Sequence, residues 1–469
     1  MKKQFFYAAM ALAMLSSCSK DNDPAVDPNP DNNANPVIEL GINAPSVSVN
    51  TRASGTVGGM TDETNLWKGQ TLHVVAYDKG TTTKTTNSES TTDPKEYIFN
   101  NLTFKAPNQT WNPDAAEGSK LEGGKSIYIL KDASTIQAVY YNPTGNMDFY
   151  GYHIDDLTGA TLDDATKTVS GITITGAEDL LGAKTKEVNA DNYPSVNADD
   201  ITAFNAPDPE RGFSAWAARR SIQPILEFKH LLTRLTFTVT AAKADAARYY
   251  WDENATGGAA WVENKSKEVT GTSTAVEVTS ITIKNVKTGM QIVLDGTEEG
   301  KIYPYAAATA EAIAPEAGLS LQERNVDDGT IQALTATAPV AFDDSGTDHS
   351  ANFPTTDGVP AYSTNTPVGE SLMIPEGDTE LQLEIKLQQK VIDTEGYPNK
   401  DNPTYKTKTG LVKYTLPYTA VKNGVTGQTA FTAGYSYNVN IKVFSFERID
   451  ITAELAKWIS GGDFDIDAE

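Results

Sequence analysis

The chain has 469 residues, and its 38 Lys and Arg against 62 Asp and Glu leave a formal charge of −24. That length exceeds one ordinary core, so two domains are expected, and the acidity argues against nucleic acid and against electrostatic adhesion to anionic lipid, both of which need Lys and Arg. The single cysteine excludes an intramolecular disulfide.

That cysteine, Cys18, closes a characteristic start. Met1-Lys2-Lys3-Gln4 is a basic segment, Phe5 to Leu15 is an apolar run too short to span a bilayer, and Leu15-Ser16-Ser17-Cys18 follows. The arrangement resembles a bacterial lipobox, in which the cysteine sulfur is acylated and becomes the new N-terminus. Several acyl chains on one residue anchor a protein stably, where one does not. Residues 19–36 are rich in Asp, Asn and Pro with almost no apolar side chain to bury, the composition of a disordered tether.

An alternating segment comes next. Ile38, Leu40 and Ile42 share one face, and after Pro45 the pattern resumes at Val47 and Val49 before Asn50-Thr51-Arg52-Ala53. The small, open residues from Ser54 to Gly59 suit a protease-accessible loop around Arg52. The segment is expected to be a removable strand, although Pro45 divides it and only one part need fill a groove.

Beyond it, short strands are expected at Thr71 to Tyr77, Tyr97 to Phe104, Ser126 to Leu130, Ile136 to Tyr141 and Gly171 to Thr175, separated by Gly, Asn, Asp and Pro. Helix is expected only near Ala177 to Leu181 and Phe213 to Arg220. In the second half, Leu235, Phe237 and Val239 oppose Thr236, Thr238 and Thr240, whereas Leu226 and Phe228 lie in the other register. A bend or bulge at His230-Leu231-Leu232 is therefore expected. Further strands are expected at Val276 to Val286, Gln291 to Leu294, Glu380 to Gln388, Gly410 to Leu416 and Tyr435 to Val443. In Glu380 to Gln388, Leu381, Leu383, Ile385 and Leu387 alternate with polar residues, which predicts a sheet with one wet face. Ile449, Ile451, Ala453 and Leu455 alternate again before Trp458 and Ile459, with no evident partner within the chain. So much short strand without a long segment of period 3.6 indicates an all-β sandwich architecture with little helix.

The same residues are similar to the fimbrillin family, the subunits of type V pili of Bacteroidia. The resemblance rests on the Cys18 lipobox, the Thr51-Arg52-Ala53 junction, Phe228-Lys229-His230-Leu231-Leu232-Thr233-Arg234-Leu235-Thr236-Phe237, and Gly434-Tyr435-Ser436-Tyr437-Asn438-Val439-Asn440-Ile441 through Trp458. It implies two tandem transthyretin-like β-sandwich domains at 53–223 and 224–469, after a signal peptide at 1–18 and a removable segment at 19–52. It also implies a precursor lipidated at Cys18, carried to the cell outer membrane, and cut between Arg52 and Ala53 by a trypsin-like protease. The vacated groove then accepts a donor strand from another copy or a related subunit, placed by the resemblance at Ile449 to Ile459 within 449–469. Burying such a strand at about 1.5–3 kcal/mol per apolar side chain gives on the order of 10 kcal/mol gross. A head-to-tail contact of this kind does not close and generates an extracellular filament. Stalk, tip and anchor roles all fall within the family, and the apolar C-terminal strand together with Arg52 favours stalk.

Other readings compete at particular residues. His230, far in sequence from His73, His153 and His349 and without a Cys partner, reads as a packed or hydrogen-bonded histidine rather than a metal ligand. Tyr249-Tyr250-Trp251 with Trp261 fits either loop aromatics over a sandwich end or a sugar-stacking platform of a monomeric, lipid-anchored glycan-binding protein. Asp327-Asp328, Asp343-Asp344 and Asp463, Asp465 and Asp467 read as solvated acidic loops, lacking the calcium loop of an EF-hand. No nucleophile elbow, zinc-protease helix or phosphate loop is present, and no carboxylate pair stands out for glycoside hydrolysis. No cofactor, metal or catalytic residue is expected.

Overall fold

Thr71–Asp78 buries both of its faces, which is why it reads as a nearly continuous apolar run. The computed structural model describes residues 38, 40–42, 71–84, 102–105, 126–127, 129–130, 136–137, 141–142, 144–155, 157–206, 212–265, 274–299, 301–309, 318–324, 331–354, 361–392, 405–422, 427–445 and 448–456. Within them, Thr71–Asp78 belongs to a seven-stranded sheet ordered Leu102–Lys105, Thr71–Asp78, Met147–His153, Leu181–Thr185, Ile225–His230, Leu40–Ile42, Ser126–Ile127. On one face Leu72, Val74, Phe149, Ala183, Leu226 and Phe228 pack beneath Phe204, Phe213, Ala215 and Ala217 from two short helices and their flanks. On the other, Val75, Tyr77, Tyr150 and Tyr152 join the large core with Val169, Ile172, Met290 and Ile292. These last come from a four-stranded sheet, Tyr305–Ala308, Gly289–Val293, Thr168–Thr173, Thr161–Asp163, that draws on both halves of the chain.

The second half forms a sandwich. A five-stranded sheet, Thr366–Ile374, Thr233–Ala241, Ser436–Ser445, Arg448–Ala456, Val421–Lys422, lies against a four-stranded one, Leu319–Ser320, Glu277–Lys284, Glu380–Ile392, Tyr405–Pro417. Phe237, Val239, Val439 and Ile441 of the first share a core with Ile281, Ile283, Leu383 and Ile385 of the second. In Glu380–Ile392, Leu381, Leu383, Ile385 and Leu387 are buried, whereas Glu380, Gln382 and Lys386 are exposed, the one wet face that strict alternation requires. The architecture is all-β with little helix, as the spacing of turns and strands implies.

Several local expectations change. Ala177 to Leu181 is not helical. Leu180 and Leu181 are fully buried and Leu181 opens a strand paired on both sides, so tertiary burial overrides a short Ala- and Leu-containing run. A helix forms instead at Ala198–Phe204, where the Asn197 side chain accepts from the Asp199 backbone N–H and Asp199 and Asp200 occupy the first turn. Met147–His153, a central strand, has no alternation to announce it because nearly every residue is buried. The bend at His230-Leu231-Leu232 proves to be a change of sheet: Ile225–His230 stays with the strands of the first half, and Thr233–Ala241 enters the sandwich of the second. The sheets therefore do not divide between 223 and 224.

Candidate functional site at the terminal strands

Leu40–Ile42 is three residues long and sits inside a sheet. Gly41 and Ile42 pair in parallel with Ile225 and Leu226, while Leu40 and Gly41 pair antiparallel with Ile127 and Ser126. Ser126–Ile127 is the last strand of that sheet and joins it only through Leu40–Ile42. Ile38 and Leu40 are buried among the residues beneath the helical layer, with Leu226 and Phe228 of the neighbouring strand in the same cluster. Two apolar side chains and two backbone ladders hold the segment. Its withdrawal would leave Ile225–His230 with one open edge and a groove shaped for apolar side chains at period 2.

The C-terminal strand has partners in its own chain, contrary to the expectation of none. Arg448–Ala456 runs antiparallel to Ser436–Ser445, with Ile449 opposite Val443, Ile451 opposite Ile441, Ala453 opposite Val439 and Leu455 opposite Tyr437. Val421 and Lys422 pair in parallel with Ala453 and Glu454 on its other side. Ile449 and Ile451 are buried in the large core, and the Tyr414 hydroxyl donates to the Ile451 carbonyl at 3.1 Å from the facing sheet. Alternation revealed the strand but not its partner, because the hairpin depends on a turn whose geometry period 2 does not encode. Cys18, Val47, Val49, Arg52, Ala53, Trp458 and Ile459 lie outside the described residues.

The motif centred on His230 builds a buried polar centre where the chain changes sheets. His230 Nδ1 lies 2.6 Å from Asp179 Oδ2, and the Asp179 backbone N–H donates to Asp155. Arg234 is fully buried; burial pushes its guanidinium down to about 10, with the charge of Asp179 acting in the opposite direction. Asp179 is 51 residues from His230, and no local spacing signals the pairing. A second polar centre ties the two halves: the Tyr150 hydroxyl donates to Asp295 at 2.7 Å, and the Lys184 and Lys167 ammonium groups reach the same carboxylate at 2.6 and 3.3 Å. Burial alone would raise the Asp295 carboxyl, but the hydrogen bonds from Lys184 and Tyr150 and the two lysine charges hold it below the usual carboxylate range.

The loop aromatics pack on one another. Trp251 stacks on His349 with centroids 3.8 Å apart, Trp261 meets Phe353 and Tyr362 edge-on, and its indole N–H donates to the His349 carbonyl. Together with Tyr249 and Val340 they form a small satellite core over a three-stranded sheet. Ser345, His349 and Asp343 have the residue types of a nucleophilic triad without its geometry. Ser345 Oγ and Asp343 Oδ2 both approach the same ring nitrogen, Nδ1, so the imidazole cannot relay a proton from one to the other. Among the described residues, no group of three or more His, Cys, Asp or Glu is placed to hold a metal ion. Asp327 and Asp328 lie outside them, as do Asp463, Asp465 and Asp467.

No family model matches the sequence, and no curated protein matches it. Solved structures do. A candidate cell adhesion protein from Bacteroides uniformis is 12% identical with a TM-score of 0.37, the match covering 92% of this chain and 100% of that one. A fimbrial assembly protein from Parabacteroides distasonis is 12% identical at a TM-score of 0.29, covering 90% and 96%. A tip fimbrial protein from Porphyromonas gingivalis with a C-terminal truncation is 10% identical at 0.28, covering 90% and 100%. Likenesses at these values leave the functional reading to the chain's own strands and side chains.

Proposed function

We propose that this chain is a structural subunit, of the stalk type, of a cell-surface pilus. It is exported as an outer-membrane lipoprotein precursor acylated at Cys18, cut between Arg52 and Ala53 by a trypsin-like protease, and polymerised head to tail by strand exchange. The observation that carries the reading is the position of Leu40–Ile42. It lies a few residues before Arg52 and fills a slot between Ile225–His230 and Ser126–Ile127, so a single cut frees a strand whose place another strand can take.

The intramolecular hairpin refines the donor side. Donation of Ile449, Ile451, Ala453 and Leu455 requires the ladder to Ser436–Ser445 to open and two buried isoleucines to leave the core, at a cost of about 1.5–3 kcal/mol each. Trp458 and Ile459 follow that ladder, so exchange begins with them and draws in the hairpin afterwards. The alternative of a monomeric glycan-binding lipoprotein rests on Trp251 and Trp261, whose rings are engaged with His349, Phe353 and Tyr362. Tip and anchor roles differ at the termini: a tip needs no donor strand, and an anchor keeps its lipid and escapes cleavage.

Intact-mass measurement of protein sheared from the cell surface tests the reading. A mature N-terminus at Ala53 in detergent-resistant ladders, lost on deletion of 449–469, is expected. Assembled material that retains residues 19–52 would overturn the processing step.

A further inference from the structure

One long edge is uncovered among the described strands. Tyr405–Pro417 pairs along its whole length with Glu380–Ile392, from Pro417 opposite Glu380 to Tyr405 opposite Ile392, and it ends the order of its sheet. Thr407, Lys408, Thr409, Leu411, Lys413 and Thr415 are exposed, and Leu411 is one of two large apolar side chains standing out in solvent among the described residues. Such an edge presents a row of outward backbone N–H and C=O groups to any extended segment that fits.

The charge of this hairpin runs against that of the molecule. Lys386, Lys390, Lys406, Lys408 and Lys413 stand on its two strands against Glu380 and Glu384, in a chain of net charge −24. Lysine on an edge strand discourages pairing with most strands, yet cross-strand pairs of opposite charge are favourable, so an acidic strand is selected rather than refused.

We propose that the outer edge of Tyr405–Pro417 is a binding site for an acidic extended strand, and that its occupant is residues 463–469 of the same chain. Asp463, Asp465, Asp467 and Glu469 fall on one side at strand period, with Phe464 and Ile466 on the other. The acidic side complements the lysines, and the apolar side offers cover for Leu411. The reach is sufficient. The Tyr414 hydroxyl bonds to the Ile451 carbonyl, so the last described strand passes close to the edge strand, and the residues between Ala456 and Asp463 span up to about 20 Å when extended. Gly461-Gly462 supplies the reversal the path needs. The tail then acts as a latch that keeps the C-terminal strand at home in the free subunit. The proposal requires neither lipidation nor cleavage at Arg52.

Hydrogen exchange on the full, uncut chain tests it. Amides of 405–417 are expected to be protected, and Asp463→Lys/Asp465→Lys/Asp467→Lys is expected to speed their exchange by about tenfold while 380–392 keeps its protection, which serves as the control for folding. Lys406→Glu/Lys408→Glu should do the same, and combining the two charge reversals should restore protection. Unchanged exchange at 405–417 in both variants would overturn the proposal. Protection that disappears on dilution of the unaltered chain would assign the edge to the tail of a second copy and overturn the same-chain assignment.

Discussion

His230 and Asp179 meet at 2.6 Å inside the protein, at the point where the chain leaves one sheet for the next. The carboxylate also faces the charge of the fully buried Arg234, so one acidic group balances a motif that otherwise brings two basic residues into the interior. Asp179→Leu should therefore destabilise the protein by about 3–5 kcal/mol, since it leaves a buried guanidinium without its counter-charge. Asp179→Leu combined with Arg234→Met should cost less than Asp179→Leu alone. Urea midpoints at constant slope check both.

Gly151 and Phe228 make a second tight contact. A Cβ at Gly151 would lie 2.8 Å from Phe228 Cζ, with Leu226 also in contact. Both aromatic and glycine belong to the seven-stranded sheet and face the same core. Gly151→Ala should cost about 1–3 kcal/mol through overpacking, and Gly151→Ala with Phe228→Leu should recover part of it in thermal unfolding.

Leu40 distinguishes the uncut from the processed chain. With the N-terminal segment present, Leu40→Ala should cost about 2–5 kcal/mol, because the side chain is buried beneath the helical layer. In protein already cut after Arg52, unfolding should not respond to the substitution at all. Denaturation of both forms, with and without trypsin treatment, separates the outcomes.

His73 sets a pH response. Burial, reinforced by nearby His153, pushes its imidazole down to about 4, and the ring stacks on Tyr152 at 4.6 Å. A depressed value means that the unfolded chain binds a proton that the folded chain refuses. The stability associated with neutral His73 is present above about pH 6.5 and is lost as pH falls toward 4. Allowing for its partial exposure, the loss is on the order of 1–2 kcal/mol. His73→Phe, which keeps the stack, should flatten that part of the pH profile of the unfolding free energy.

The sequence by itself determined the class of this protein and the position of most strands that carry one wet face. Glu380 to Gln388 is the clearest example: strict alternation leaves a single geometry in which its leucines are buried and its charges are not. The same logic located the terminal strands at Ile38 to Ile42 and Ile449 to Leu455, and with Cys18 and Arg52 it supplied the processing reading. Only the tertiary structure decided what each strand pairs with. Met147–His153 and Leu181–Thr185 are buried on both faces and so lose the period that would announce them. Arg448–Ala456 has its partner in the preceding hairpin strand, Leu40–Ile42 lies in parallel against residues far along the chain, and Asp179 finds His230 across 51 positions. Periodicity fixes which side of a strand faces inward, but hydrogen-bonded pairing is a contact between distant residues, and nothing in a strand's own sequence specifies the edge that will receive it.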